Sequence, residues 1–187
     1  MLNKLRMVSV MGLLFVSISA CALFGSQVTI ADNERGVVAN EKGEVQVLEP
    51  GTHMLPPFTG DAIIYPMTNQ TYVMSSQGAA LGNDSVETRS KDEHLLMVDA
   101  SITFRYLPSH LIEIRKLWET PERFISGFIR PVTRNVVYNK AVQFSLEEAT
   151  SSKRSEFESV VRQELVDEFS KQGVELIEFK LLDVRGE

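Results

Sequence analysis

The 187-residue sequence has one cysteine, three histidines, one tryptophan and only 8% aromatic residues. Cys21, alone, cannot form an internal disulfide or take part in a thiolate-rich zinc site, which excludes cross-linked mini-proteins and zinc ribbons. His53, His94 and His110 fall in three separate segments, without the i, i+4 spacing of a metal site, so they read as surface or turn residues. No P-loop, GxGxxG or GxSxG stretch occurs, and the glycines stand singly, which leaves nucleotide chemistry without a seat. Basic residues are also in deficit, with 19 Lys and Arg against 25 Asp and Glu. Because Lys4 and Arg6 precede every acidic residue, the chain from Cys21 onward carries a net charge of −8, and nucleic acid is excluded as an expected partner.

What is present begins with a membrane signal. Residues 7–24 form an apolar run without an ionisable group except the thiol, preceded by Lys4 and Arg6. Two readings fit. A basic start and an apolar stretch suit a secretory signal, and Ile18-Ser19-Ala20-Cys21 resembles the bacterial lipobox, in which the cysteine carries lipid and an amino-terminal acyl chain such as palmitate. Alternatively, the run continues through Ala22, Leu23 and Phe24 and approaches the roughly 17 to 25 residues of a spanning helix. Both place Lys4 and Arg6 in the cytoplasm and the remainder outside it. The domain is therefore expected at a bacterial membrane, on the extracytoplasmic side, with Cys21 as the candidate lipidation site.

After residue 26 the pattern is first that of strands. Gly36-Val37-Val38-Ala39 and Val45-Gln46-Val47-Leu48 flank the turn Asn40-Glu41-Lys42-Gly43, which predicts a hairpin. Pro50-Gly51 and Pro56-Pro57 break the chain, and residues 62–65 and 71–74 are further strand candidates. Residues 75–85 read as a flexible loop without chemistry. In residues 96–106 every even position is apolar, while Asp99, Ser101, Thr103 and Arg105 fill a face expected to meet water.

From Pro108 onward the period becomes helical. Helices are expected over 109–118, from Pro121 with an interruption at Pro131, and over 151–172 up to Gly173. Phe124, Phe128 and Val132, with Ile125 and Ile129, make one apolar stripe; Phe157, Val161, Leu165 and Phe169 make another. Ser145 and Glu148 fit a capping box, and Glu158 with Arg162 and Asp167 with Lys171 stand at favourable spacing on the wet face. A last strand is expected to direct Ile177, Phe179 and Leu181 inward. No catalytic residue emerges. Ser75 and Ser76 have no oxyanion hole in view, Glu147 and Glu148 read as caps, and the sequons at Asn69 and Asn83 read as accidental matches. Arg123, Arg130, Arg134 and Lys140 form a basic ridge whose simplest reading is ion pairing within the fold.

Four stretches carry a family resemblance. They are Glu34-Arg35-Gly36-Val37-Val38 with Gly43-Glu44-Val45 and Leu48-Glu49-Pro50-Gly51-Thr52-His53; Phe58 after two prolines; Thr88-Arg89-Ser90-Lys91-Asp92 leading into residues 98–106; and Ile129-Arg130-Pro131-Val132-Thr133-Arg134-Asn135-Val136-Val137 with Ser145-Leu146-Glu147-Glu148 and Leu181-Leu182-Asp183-Val184-Arg185. In this order they resemble the SPFH or band 7 family of stomatin, prohibitin, flotillin, HflK and HflC. The resemblance implies an α+β domain, with a mostly antiparallel sheet in the amino-terminal half packed against helices. The expected layout is an anchor at 1–26 and an SPFH domain at 27–187, without the family's usual coiled coil. It further implies a non-enzymatic scaffold without cofactor or metal, in contact with membrane lipid, that forms a homo-oligomer or co-assembles with relatives and modulates clients such as membrane proteases. The alternative is a monomeric lipoprotein that binds a lipid or small hydrophobic ligand.

Overall fold

The computed structural model describes residues 25–57, 59–77 and 84–186. The chain enters through a small β unit. Strand β1 (Gln27–Ile30) pairs with β4 (Gly51–Met54), while β2 (Glu34–Ala39) lies between β3 (Val45–Leu48) and β5 (Ile63–Pro66), all antiparallel. The β2–β3 hairpin closes as its sequence predicts. Asn40 Oδ1 accepts from the N–H groups of Lys42 and Glu44 at 3.0 and 2.9 Å, and Gly43 takes φ +77°, which glycine adopts without steric penalty. Strand β2 is buried on both sides: Val38 joins Ile30, Leu48 and Leu55 in a satellite core, and Val37 points into the main one.

The main sheet is organised around β8 (Leu95–Tyr106). Strands β6 (Gln70–Met74) and β7 (Val86–Arg89) lie end to end along one side of it, and β9 (Val174–Gly186) covers the other. The even positions from Leu96 to Tyr106 are buried as their alternation requires. The opposite face departs from expectation, since Asp99 is buried beneath Ser75 and Ser85 instead of meeting water. Strand β9 departs too. Bulges at Ile177 and Leu182 each shift its register, so Val174 and Leu176, then Phe179 and Leu181, then Val184 all turn inward. Ile177 is thereby left half-buried, correcting the strict alternation read from the sequence.

Helices α1 (Leu111–Trp118), α2 (Pro121–Phe124), α3 (Arg130–Ala141) and α4 (Arg154–Ser170) complete the domain. Thr120 caps α2 by accepting from the Arg123 N–H. The interruption expected at Pro131 takes the form of a π turn over Ile125–Ile129, where the Arg130 N–H bonds the Ile125 carbonyl. The extra residue advances the apolar stripe from Phe124 and Phe128 to Ile129, Thr133, Val136 and Val137, leaving Ile125 and Val132 at its margin. Gly127 is required there, because a Cβ would lie 2.4 Å from the Trp118 ring. The capping box forms in both directions, with Ser145 N–H to Glu148 Oε2 at 3.0 Å and Glu148 N–H to Ser145 Oγ at 3.2 Å. It opens a π turn over Glu148–Ser152, so α4 starts three residues later than its periodicity indicates. Phe157, Val161, Leu165 and Phe169 are all fully buried on α4. Among the described residues, no helix is long and apolar enough to cross a membrane.

Candidate functional site

The densest polar arrangement lies where β6, β8, β9 and α3 converge. Two aspartates there are nearly removed from water, Asp84 at 2% and Asp99 at 6% exposure. Arg130 and Arg134 stand one turn apart on α3 and therefore share a face. Arg130 donates to Asp84 Oδ1 through Nε at 2.7 Å and Nη2 at 2.6 Å, and Arg134 Nη1 donates to the same oxygen at 3.2 Å and to the Asp84 carbonyl at 3.1 Å. Tyr72, from β6, donates its hydroxyl to Asp84 Oδ2. Burial and this bond push the Tyr72 hydroxyl up to about 12, so the phenol stays protonated.

The second carboxylate is served from three segments. Ser75 Oγ donates to Asp99 Oδ2 at 3.1 Å, Ser85 donates to Oδ1, and Arg185 Nη1 donates to Oδ2 at 3.3 Å. Arg185 also reaches Asp183 at 2.6 Å and Ser76 Oγ at 3.0 Å. Burial alone would raise the Asp99 carboxyl, but the hydrogen bonds from Ser85, Arg185 and Ser75 outweigh it and hold the group below its usual value. Residues 75–85 thus read incompletely from the sequence: both ends of that stretch are tied into this network.

Chemically the network is saturated. Asp99 is ionised and already accepts three hydrogen bonds, which makes it a weak base; Ser75 donates to that carboxylate and Ser76 accepts from Arg185, neither of them bonded to a histidine among the described residues. The remaining sequence candidates are dispersed. His53 bonds the Glu49 carbonyl at 2.7 Å, His94 stands 3.9 Å from Asp92, and His110 bonds Ser109 at 3.0 Å, each in a different element. Among the described residues no three His, Cys, Asp or Glu side chains group to hold a metal ion. The basic ridge does pair within the fold: Arg123 with Glu119, Arg130 and Arg134 with Asp84, Lys140 with Glu164 at 2.5 Å. Lys171, just past the end of α4, pairs with Glu168 rather than Asp167, and Glu158 on α4 accepts from the Leu181 N–H. Cys21 and Asn83 lie outside the described residues, and Asn69 is in the turn before β6.

The whole described fold, from β1 to β9, corresponds to one known family. A family model described as SPFH domain / Band 7 family matches residues 28–186. The chain belongs to the SPFH domain / Band 7 family. No curated protein matches the sequence. The match starts inside β1 and ends on the last residue of β9, so the SPFH domain contains the complete Asp84 and Asp99 network.

The edge where the SPFH domain begins is equally defined. The Leu55 N–H donates to the Ser26 carbonyl at 2.7 Å, and Gln27 stands opposite Met54 in the β1–β4 pair. A Cβ on Gly25 would lie 1.7 Å from the Leu55 carbonyl oxygen, so only glycine passes at this point. Met54, beside it, is 68% exposed.

Proposed function

We propose that this SPFH protein is a membrane-anchored, non-enzymatic scaffold whose domain sits on the extracytoplasmic face of a bacterial membrane. Its chains assemble with one another or with relatives and modulate membrane proteins such as proteases. The observation that carries this reading is the family match over residues 28–186 joined directly to an apolar segment that ends at Phe24.

The joint has almost no slack. If lipid is attached at Cys21, the four residues to Gly25 reach at most about 14 Å, and if residues 7–24 span the bilayer the domain starts at its surface. Either anchor holds the β1–β4 edge, with exposed Met54, against the headgroups. A net charge of −8 gives the domain no electrostatic attraction to anionic lipid, so the anchor supplies the attachment.

Light scattering on the detergent-solubilised full chain tests the scaffold. Particles of many chains, or co-purified relatives, are expected; a monomer at every concentration with no partner refutes assembly, and lipid retained by that monomer favours a ligand-binding lipoprotein. Mass spectrometry of the mature amino terminus tests the anchor. An acylated chain beginning at Cys21 is expected for the lipoprotein, with processing lost in Cys21→Ser, whereas a chain beginning at Met1 identifies the span.

A further inference from the structure

Strand β9 has 13 residues and pairs with β8 along its length, and no other described strand lies on its second side. A bare edge of that length offers N–H and C=O groups to another chain. Three of these groups are taken by side chains from the first turns of α4. Glu158 Oε2 accepts from the Leu181 N–H at 2.8 Å, and Arg154 Nη2 donates to the carbonyls of Leu181 and Leu182 at 2.8 and 3.1 Å. Leu182 is the bulge residue, so the carbonyls leave the regular ladder where the guanidinium meets them. Phe157, fully buried between Arg154 and Glu158, fixes this part of the helix.

We propose that the outer edge of β9 is a latent strand-pairing surface for a second copy of this chain, closed by Arg154 and Glu158. The strand's own charges select that partner. Antiparallel pairing about a two-fold axis at Phe179 sets Lys180 of each copy opposite Glu178 of the other, so the pair that each strand already makes between these two residues at 2.8 Å closes into an alternating ring of four charges. Glu175 and Asp183, which would also face each other, are neutralised by Arg105 and Arg185 at 2.6 Å each. With the clamp in place Leu181 has neither an N–H nor a C=O to offer, and any assembly of the native chain uses other faces. This inference is independent of the scaffold reading.

The test places a photo-crosslinking residue at Leu182, which is 48% exposed, in the full-length chain in membranes. The parent is expected to give little chain-to-chain product through this site. Arg154→Ala with Glu158→Ala should raise the yield at least about tenfold, and adding Lys180→Glu should abolish the gain by setting like charges opposite each other. Glu158→Gln alone should behave as the parent, because the amide oxygen still accepts from Leu181. A folded double variant that crosslinks no more than the parent overturns the inference. So does a parent that already crosslinks through β9, a Glu158→Gln variant that matches the double variant, or a yield unmoved by Lys180→Glu. A monomeric parent would refute the scaffold and leave this comparison intact.

Discussion

Removing the Tyr106 hydroxyl should stabilise the domain. Tyr106 is 1% exposed at the end of β8, and its oxygen has no hydrogen-bond partner among the described residues. Its ring is held edge-on by Tyr65 at 5.4 Å and Phe104 at 5.5 Å, and by Phe124 at 5.5 Å, so Phe at this position keeps the packing. A buried hydroxyl without a partner costs about 1 to 3 kcal/mol, against which the small void left by one oxygen is minor. Tyr106→Phe should therefore raise stability by about 1 kcal/mol, or about 2 to 4 °C in Tm for a domain of this size. The neighbouring Tyr65 hydroxyl is also unpartnered among the described residues, so Tyr65→Phe should act in the same direction and the two gains should roughly add. Alkaline titration gives a second readout. Burial raises both phenols above the ordinary value of 10.0, Tyr65 to about 12 and Tyr106 further. A group whose folded value is raised contributes its stability in full below the unfolded value and loses it as pH rises toward the folded one. The wild-type chain should thus weaken from about pH 10 upward, and the double Phe variant should weaken less. Urea unfolding at pH 7 and at pH 11 measures both effects. A loss of more than about 1 kcal/mol in Tyr106→Phe at pH 7 would show that the hydroxyl is bonded and refute the reasoning.

Asp99→Asn should cost about 2 kcal/mol at pH 7 by removing charge from hydrogen bonds with Arg185, Ser75 and Ser85. Because the folded Asp99 value lies below 3.8, its contribution is present above that pH and fades as pH falls through the folded value; acid unfolding followed by circular dichroism should show a shallower decline in the variant. Asp84→Ala should destabilise by about 2 to 3 kcal/mol, since it strands the Tyr72 hydroxyl and two part-buried guanidiniums, and calorimetry of the variant reads this directly. Glu119→Gly should be neutral or stabilising by up to about 1 kcal/mol. Glu119 holds φ +64° in a γ-turn closed by the Thr120 N–H and the Trp118 carbonyl at 2.7 Å, and it forfeits only an exposed ion pair with Arg123; thermal melts decide.

The features legible in the sequence are those decided within a few residues. The Asn40–Gly43 turn, the even-position burial of β8, the Phe157 to Phe169 stripe and the Ser145–Glu148 box each depend on neighbours no more than four positions apart or on a simple period. The features that were not legible depend on a partner far along the chain. Strict alternation turns Ile177 inward, but pairing with β8 inserts bulges that keep three separate apolar groups of β9 in phase with the core. Asp99 reads as a solvated strand residue until Ser75, Ser85 and Arg185 converge on it from 24, 14 and 86 positions away. Arg130 and Arg134 were readable as an ion-paired ridge, yet nothing local identifies Asp84, 46 and 50 positions earlier, as the shared acceptor.

The stretches that carry the family resemblance contain much of this long-range network. Asp99 lies in the 98–106 segment, Arg130 and Arg134 in the 129–137 segment, and Asp183 and Arg185 in the closing 181–185 segment. In the fold these residues join β8 to β9 and α3 to Asp84, two residues before β7: Arg130 and Arg134 share the Asp84 carboxylate, and Asp99 and Asp183 share Arg185. A reaction centre holds some groups in reserve for a substrate: an acceptor left open, a nucleophile beside a base, a cation without its counter-ion. Each ionic group of this network instead has a partner of opposite charge within it, and the motif residues fix how strands and helices meet. This distribution supports the proposed scaffold reading, in which the SPFH domain acts through its shape and not through turnover.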